Sequence, residues 1–183
     1  MFTTSDLKKL LQIWAETMSA NADYLIKLDG VVGDSDLGLT MADGFKAASE
    51  AAQASEETDF GKTAYNAGKA MSNAVPSTMG TLMASGLMAI GKAFKGAESI
   101  DDANLPDFFQ AYFDGVRSRG KAEIGDKTFL DGRRSEPLFP KGYRRSAAQQ
   151  TRQAQRTKAS CRPKVCLRSM GAQADAANSP GIF

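Results

Sequence analysis

Thr78-Met-Gly-Thr-Leu-Met-Ala-Ser-Gly-Leu-Met-Ala-Ile-Gly-Lys-Ala-Phe94 is apolar on nearly every side of a helical projection. A surface helix carries one apolar stripe. A helix apolar all round has to be surrounded by other elements, so this stretch predicts a central helix in a bundle. Its uncharged run, 79–91, contains Thr81 and Ser85 and is too short to cross a bilayer. Upstream, Phe60, Ala64, Ala67 and Met71 recur at three- and four-residue spacing, as do Leu39, Phe45, Ala48 and Ala52 before the polar stretch 55–59. Nearer the start, Leu7, Leu10, Leu11, Trp14 and Met18 form another stripe, with Ser5 as the expected N-cap. Tyr24, Leu25 and Leu28 continue that helix or begin a second turn of it. Downstream, Leu105, Phe108, Phe109, Tyr112 and Val116 make a fifth helix, with Pro106 suited to its first turn.

Composition agrees. Residues 1–132 contain 20 Ala against 4 Val and 5 Ile, which favours helix over sheet, and no alternating strand stands out. The predicted class is all-α. The 183 residues suffice for one ordinary domain, with 42% hydrophobic and 24% charged residues, as in a soluble globular protein. Asp6, Lys8 and Lys9 replace the apolar run of a signal peptide, so a cytoplasmic protein without a membrane segment is expected. Histidine is absent, which excludes imidazole bases, serine-type triads and zinc–histidine sites in this chain.

The net charge of +2 conceals a break near residue 132. Residues 1–132 hold 12 Lys+Arg and 19 Asp+Glu, whereas 133–183 hold 11 and 2. Two arginines precede the break and eight follow it. The expected division is a helical domain over 1–132 and an Arg-rich, non-periodic tail over 133–183. Two readings of the tail fit equally: a solvated disordered extension and a translation of the wrong frame. Nucleic-acid binding carries less weight, because no aromatic residues interleave with the arginines. Cys161 and Cys166 have neither a second pair nor a histidine and are read as incidental thiols.

Chemistry concentrates where the helical pattern breaks. Leu28-Asp-Gly-Val-Val-Gly-Asp-Ser-Asp-Leu-Gly38 places Asp29, Asp34 and Asp36 among three glycines. A glycine-rich turn can fold three carboxylates toward one point, and oxygen-only ligation there suits Mg²⁺ or Ca²⁺. A calcium EF-hand is disfavoured, since counting from Asp34 the twelfth position is Phe45 instead of Glu. The competing reading is a solvated acidic turn. Val75-Pro-Ser-Thr-Met-Gly-Thr81 offers Ser77 and Thr78 as caps, and helix-end amides that suit a phosphate. Gly86-Leu-Met-Ala-Ile-Gly-Lys92 mimics a phosphate-binding loop, but Ala93 replaces the required Ser/Thr and no strand precedes it. Ser118-Arg-Gly-Lys-Ala-Glu-Ile-Gly-Asp-Lys-Thr-Phe-Leu-Asp131 is a charged, glycine-bearing loop that offers Gly120 and the cations Lys121 or Lys127 to a nucleotide.

Taken together, L-D-x-x-x-G-D-x-D-x-G, a Gly/Ser/Thr loop opening a helix, and R-G-K-A-E-x-G-D-K-T-x-L-D resemble the nucleotide-binding L subunit of dihydroxyacetone kinase over roughly residues 5–132. The resemblance implies an antiparallel barrel of eight helices, five of them recognisable here, binding ADP or ATP and two Mg²⁺ at one end. It implies Asp29, Asp34 and Asp36 as metal ligands, and Leu37, Gly38, Leu39, Thr40, Ser77, Thr78, Gly120 and Phe129 as nucleotide-site residues. No catalytic side chain is expected in this chain. The implied reaction is phosphoryl transfer to a short ketose held by a separate K-type subunit through that subunit's own histidine. ATP, or ADP recharged by an M-type phosphocarrier subunit, would supply the phosphoryl group. A homodimer stays open.

This sequence departs from that pattern at several places. The family usually has His and Asn where Leu37 and Thr40 stand, and commonly G-G-A-S-G where this chain reads Val75-Pro-Ser-Thr-Met-Gly80. Relatives continue with about three more helices, an arginine and a closing D-P-G segment, and nothing of that kind follows Asp131. Two alternatives to the kinase subunit therefore stand: a nucleotide-binding module without turnover, and a related kinase subunit with another substrate.

Overall fold

The computed structural model describes residues 1–31 and 33–133, so the readings of the tail and of Cys161 and Cys166 fall outside it. The described chain is helical, with one small sheet. Strand β1 (Phe2–Thr3) leads into α1 (Thr4–Ala20) and α2 (Ala22–Asp29). Then come α3 (Leu37–Ala54), α4 (Phe60–Ala74) and α5 (Thr78–Ala93). Strand β2 (Ser99–Ile100) and a 3-10 turn at Asp102–Asn104 lead to α6 (Leu105–Gly120), and a second 3-10 turn spans Phe129–Arg133.

Local chemistry sets the boundaries. The first helix is capped by Thr3, not by the expected Ser5. Thr3 Oγ1 accepts from the Asp6 amide, and the Thr3 amide donates to Asp6 Oδ2 at 3.1 Å. Aspartate, not glutamate, closes this capping box, which is why the motif is easy to miss. Asn21 ends α1 and separates it from α2, giving six α-helices among the described residues where five stripes are legible. In α3 the buried face is Leu37, Met41, Phe45, Ala48 and Ala52. Leu39, expected in that stripe, is 57% exposed. The strands escape periodicity because each has two residues; Phe2 pairs with Ile100 and Thr3 with Ser99, antiparallel.

Helix α5 is the central element. Met83, Ala84, Leu87 and Ile90 are fully buried or nearly so, and α5 packs along both α4 and α6. The rejected phosphate-loop mimic lies inside it. Helix α3 packs between α1 and α4, and α2 lies against α3. At the end away from α3's first turn, Phe60 has its ring 5.7 Å from Phe2 and 6.0 Å from both Phe94 and Phe108, all edge-on. Full burial of Phe60 and Phe108 contributes about 1.5–3 kcal/mol each. Among the described residues no helix is long and apolar enough to cross a membrane.

Up-and-down chain reversal has one consequence for function. Short links return the chain between α3, α4 and α5, so the first turns of α3 and α5 open at the same end as the last turn of α6. Thr40 in α3 donates from Oγ1 to Ser77 Oγ at 3.2 Å, and Gly120 lies against Leu82 of α5.

Candidate functional site

Asp29 is the last residue of α2 and is 3% exposed. Its Oδ2 accepts from the amides of Asp36 (3.1 Å) and Leu37 (3.3 Å), two of the donors that a helix start leaves without intrahelical partners. Asp29 thus caps α3 from outside. The Thr40 amide donates back to Asp36 O at 2.9 Å, so Gly38 and Leu39 carry the remaining orphan amides of this turn. The other oxygen, Asp29 Oδ1, is buried with no hydrogen-bond partner.

Two backbone features bring the remaining carboxylates to it. The Gly33 amide donates to Asp29 O at 2.6 Å, and a Cβ at Gly33 would collide with the Asp29 carboxylate, so only glycine lets the loop pass this closely. Ser35 sits at φ 65°, a left-handed conformation that a non-glycine residue adopts at a cost, and it reverses the chain between Asp34 and Asp36. Carboxylate oxygens of Asp29, Asp34 and Asp36 consequently all lie within 4.8 Å of one another. Burial first, then the neighbouring Asp34 and Asp29 carboxylates, push the Asp36 carboxyl above its ordinary value.

Next to this cluster lies a cleft of about 420 Å³ between the first turn of α5, the end of α6 and the 3-10 turn that follows. Ser77, Thr78, Gly120 and Phe129 line it, four of the residues expected at a nucleotide site. Ser77 Oγ also accepts from the Gly80 amide at 3.0 Å and so caps α5. The three aspartates and residues 37–40 do not line this cleft; the Thr40–Ser77 hydrogen bond joins the two regions. Leu37 and Thr40 are buried and Gly38 packs against α2, where a Cβ would meet Ile26 Cγ1 at 2.7 Å. What Gly38 and Leu39 offer a ligand is therefore backbone N–H, together with the exposed Leu39 side chain.

The cleft also has members that lie inside the two candidate segments but were not individually expected at the site, among them Pro76, Thr81, Arg119 and the buried Thr128. Arg119 is the charged residue of the described lining; Lys121 and Lys127, the cations anticipated there, are outside it. Two signals were available for Arg119: it opens the R-G-K-A-E motif, and it lies three residues after Val116 on α6 and shares its face.

Three carboxylates within 4.8 Å, one with a buried unpaired oxygen, fit a hard divalent cation. Without such a cation the Asp29 Oδ1 desolvation is uncompensated. Two helix N-termini beside it supply amides and positive dipole ends, the arrangement that binds phosphate. Carboxylates that suit a cation and helix ends that suit a phosphate thus adjoin at one end of this helical domain.

Comparison with known proteins gives the family of this domain. The DAK2 domain profile matches residues 31–161, and the chain belongs to this family. The match crosses the compositional boundary expected at 132. The ADP-binding subunit DhaL of the PEP-dependent dihydroxyacetone kinase of Escherichia coli (strain K12) is 34% identical over 116 residues, 63% of this chain and 55% of that protein. The ADP-binding subunit DhaL of PEP-dependent dihydroxyacetone kinase 1 of Listeria innocua is 31% identical over 66% of this chain and 61% of that protein. The D-erythrulose kinase of Mycolicibacterium smegmatis is 30% identical over 82% of this chain and 28% of its own length. The chain thus spans little more than half the length of the two DhaL relatives.

Proposed function

We propose that this chain is a nucleotide-binding subunit of a dihydroxyacetone-type kinase, in which Asp29, Asp34 and Asp36 hold Mg²⁺ and the adjoining cleft takes ADP or ATP. The carrying observation is the buried, unpartnered Asp29 Oδ1 within a three-carboxylate cluster beside the α3 and α5 N-termini. When bound, Mg²⁺ would neutralise phosphate oxygens and orient them for in-line transfer. The protein's own part is positioning. Gly38 and Leu39 amides face the phosphate end, Ser77 and Thr78 continue that surface on α5, and Phe129 offers a flat apolar wall to the base. Nothing in this role needs an imidazole, so a histidine-free chain is competent for it, with the ketose held by a K-type partner subunit and an M-type phosphocarrier as the alternative to ATP. The erythrulose kinase relative supports a short ketose as the acceptor class.

A second reading, a module that binds nucleotide without turnover, is favoured by one observation: Leu37 is buried in the core where the family resemblance puts a histidine. Calorimetric titration with ADP, with and without Mg²⁺, tests the first claim common to both. Binding is expected to require Mg²⁺ and to weaken at least tenfold in Asp34→Asn, about 1.4 kcal/mol. Unchanged Mg²⁺-dependent affinity in that variant removes the metal assignment. A coupled assay with dihydroxyacetone and a K-type subunit then separates the kinase from the module.

A further inference from the structure

The segment between α6 and the Phe129–Arg133 turn has an unusual backbone. Lys121 (φ 51°), Gly125 (φ 111°) and Lys127 (φ 60°) all lie in the left-handed region, two of them without the excuse of being glycine. Three such residues within seven persist only where surrounding bonds over-determine them. On the α6 side, Arg117 forks onto Glu123 at 2.6–3.1 Å, but that pair is solvent-exposed and worth little. On the other side, the Asp131 carboxylate accepts from the Gly125 amide through Oδ1 and from the Thr128 amide through Oδ2, each at 2.8 Å. A charge-assisted bond from each oxygen is the strongest arrangement such a tie can use. It fastens the middle of the strained loop to its end.

That end carries the wall of the cleft. Thr128 and Leu130 are buried, and between them Phe129 stacks on Phe113 at 5.8 Å and meets Tyr112 edge-on at 6.2 Å while lining the cleft. We propose that Asp131 is the positioning residue of the cleft: by tying Gly125 to Thr128 it sets the loop that presents Phe129 to a nucleoside. This rests on the functional reading above. Asp131 itself touches no ligand; it acts through the two amides it holds.

Asp131→Asn tests this, because an amide keeps the shape but offers one accepting oxygen, leaving one N–H facing an NH₂ group. Gly125→Ala is the second variant: a Cβ there meets nothing within 4 Å, so its effect is conformational alone. The chain's single tryptophan, Trp14, packs on Phe45 and Tyr112, and its emission reports that the bundle is intact. Three readouts are taken on the full chain: tryptic cleavage after Lys121 and Lys127, Mg²⁺-dependent ADP affinity, and Mg²⁺-dependent pyrophosphate affinity. Both variants are expected to be cut faster and to bind ADP about tenfold more weakly, with pyrophosphate affinity and Trp14 emission unchanged.

Wild-type ADP affinity in Asp131→Asn, or a parallel loss of ADP and pyrophosphate binding, overturns the proposal; the second outcome is what a merely structural residue would give. Should the wild type bind neither ligand, the functional reading falls and cleavage decides the tie alone. Equal cutting of wild type and Asp131→Asn then overturns it, and faster cutting of the variant upholds it.

Discussion

Asp29→Asn is expected to make the protein more stable without divalent metal and less stable with it. Asparagine can place its carbonyl oxygen where Oδ2 accepts from the Asp36 and Leu37 amides, so the cap on α3 survives. Its NH₂ group then occupies the place of the orphaned Oδ1 and can donate to the Asp34 and Asp36 carboxylates, whose oxygens lie within 4.8 Å. Leaving a buried acceptor unsatisfied costs about 1–3 kcal/mol. At 4.8 Å two like charges repel by about 3.5 kcal/mol at an effective dielectric of 20 and by about 0.9 kcal/mol in water. Asp34 is exposed and Asp36 half-buried, so the lower figure governs. Allowing for the relaxation of exposed carboxylates away from one another, the net gain is about 1–2 kcal/mol. For a chain of this size that raises Tm by about 2–4 °C per kcal/mol. With the Mg²⁺–ADP complex at a hundredfold excess over its Kd, linkage should stabilise the wild type by about 2.7 kcal/mol and the variant hardly at all. The order of melting temperatures should therefore invert between EDTA and Mg²⁺–ADP, followed by circular dichroism at the helix band. A variant that melts below the wild type in EDTA, or that gains the same shift from Mg²⁺–ADP, refutes the reasoning.

Two further perturbations probe the scaffold. Gly86→Ala places a methyl 2.7 Å from the Tyr112 ring where α5 meets α6, and should destabilise by about 1–3 kcal/mol in urea unfolding; a neutral result would mean this helix pair is packed more loosely than described. Asp59 caps α4 by accepting from the Lys62 amide at 2.9 Å and also from Gly96, and these bonds, Lys62 first, hold its carboxyl below the ordinary value of 3.8. A depressed carboxylate contributes stability above its unfolded value and loses it as pH falls through the folded one. Asp59→Asn should thus be less stable than wild type at neutral pH, with the gap closing below about pH 4; a gap independent of pH would assign the effect to shape and not to charge.

Much of this architecture is written in side-chain periodicity, and the places where it is not are instructive. Helix α5 is legible because a segment apolar on all sides has one solution, burial at the centre. Leu39 is misleading because a five-residue window cannot tell which of Leu37, Leu39 and Met41 faces inward. The structure resolves this by placing Leu37, Met41 and Phe45 one turn apart and sending Leu39 to the rim of the site. The break at Asn21 and the two-residue strands leave no periodic trace, because neither is long enough to repeat.

The candidate site divides along the same line. Clustering of Asp29, Asp34 and Asp36 is visible as three carboxylates among glycines. That Asp29 ends one helix while capping the next is not visible, since a cap seven and eight residues away depends on the path of the loop between. Asp131 is the same case. In sequence it is one acidic residue in a charged loop, yet in space it receives two amides from three and six residues upstream. Both aspartates do with a side chain what a helix does with its own carbonyls: they collect backbone donors. Asp29 has an oxygen left over from that task, buried at the mouth of the site. A cap alone does not need that surplus oxygen, which is why Asp29→Asn tests, beside Asp34→Asn, whether the cluster holds a cation.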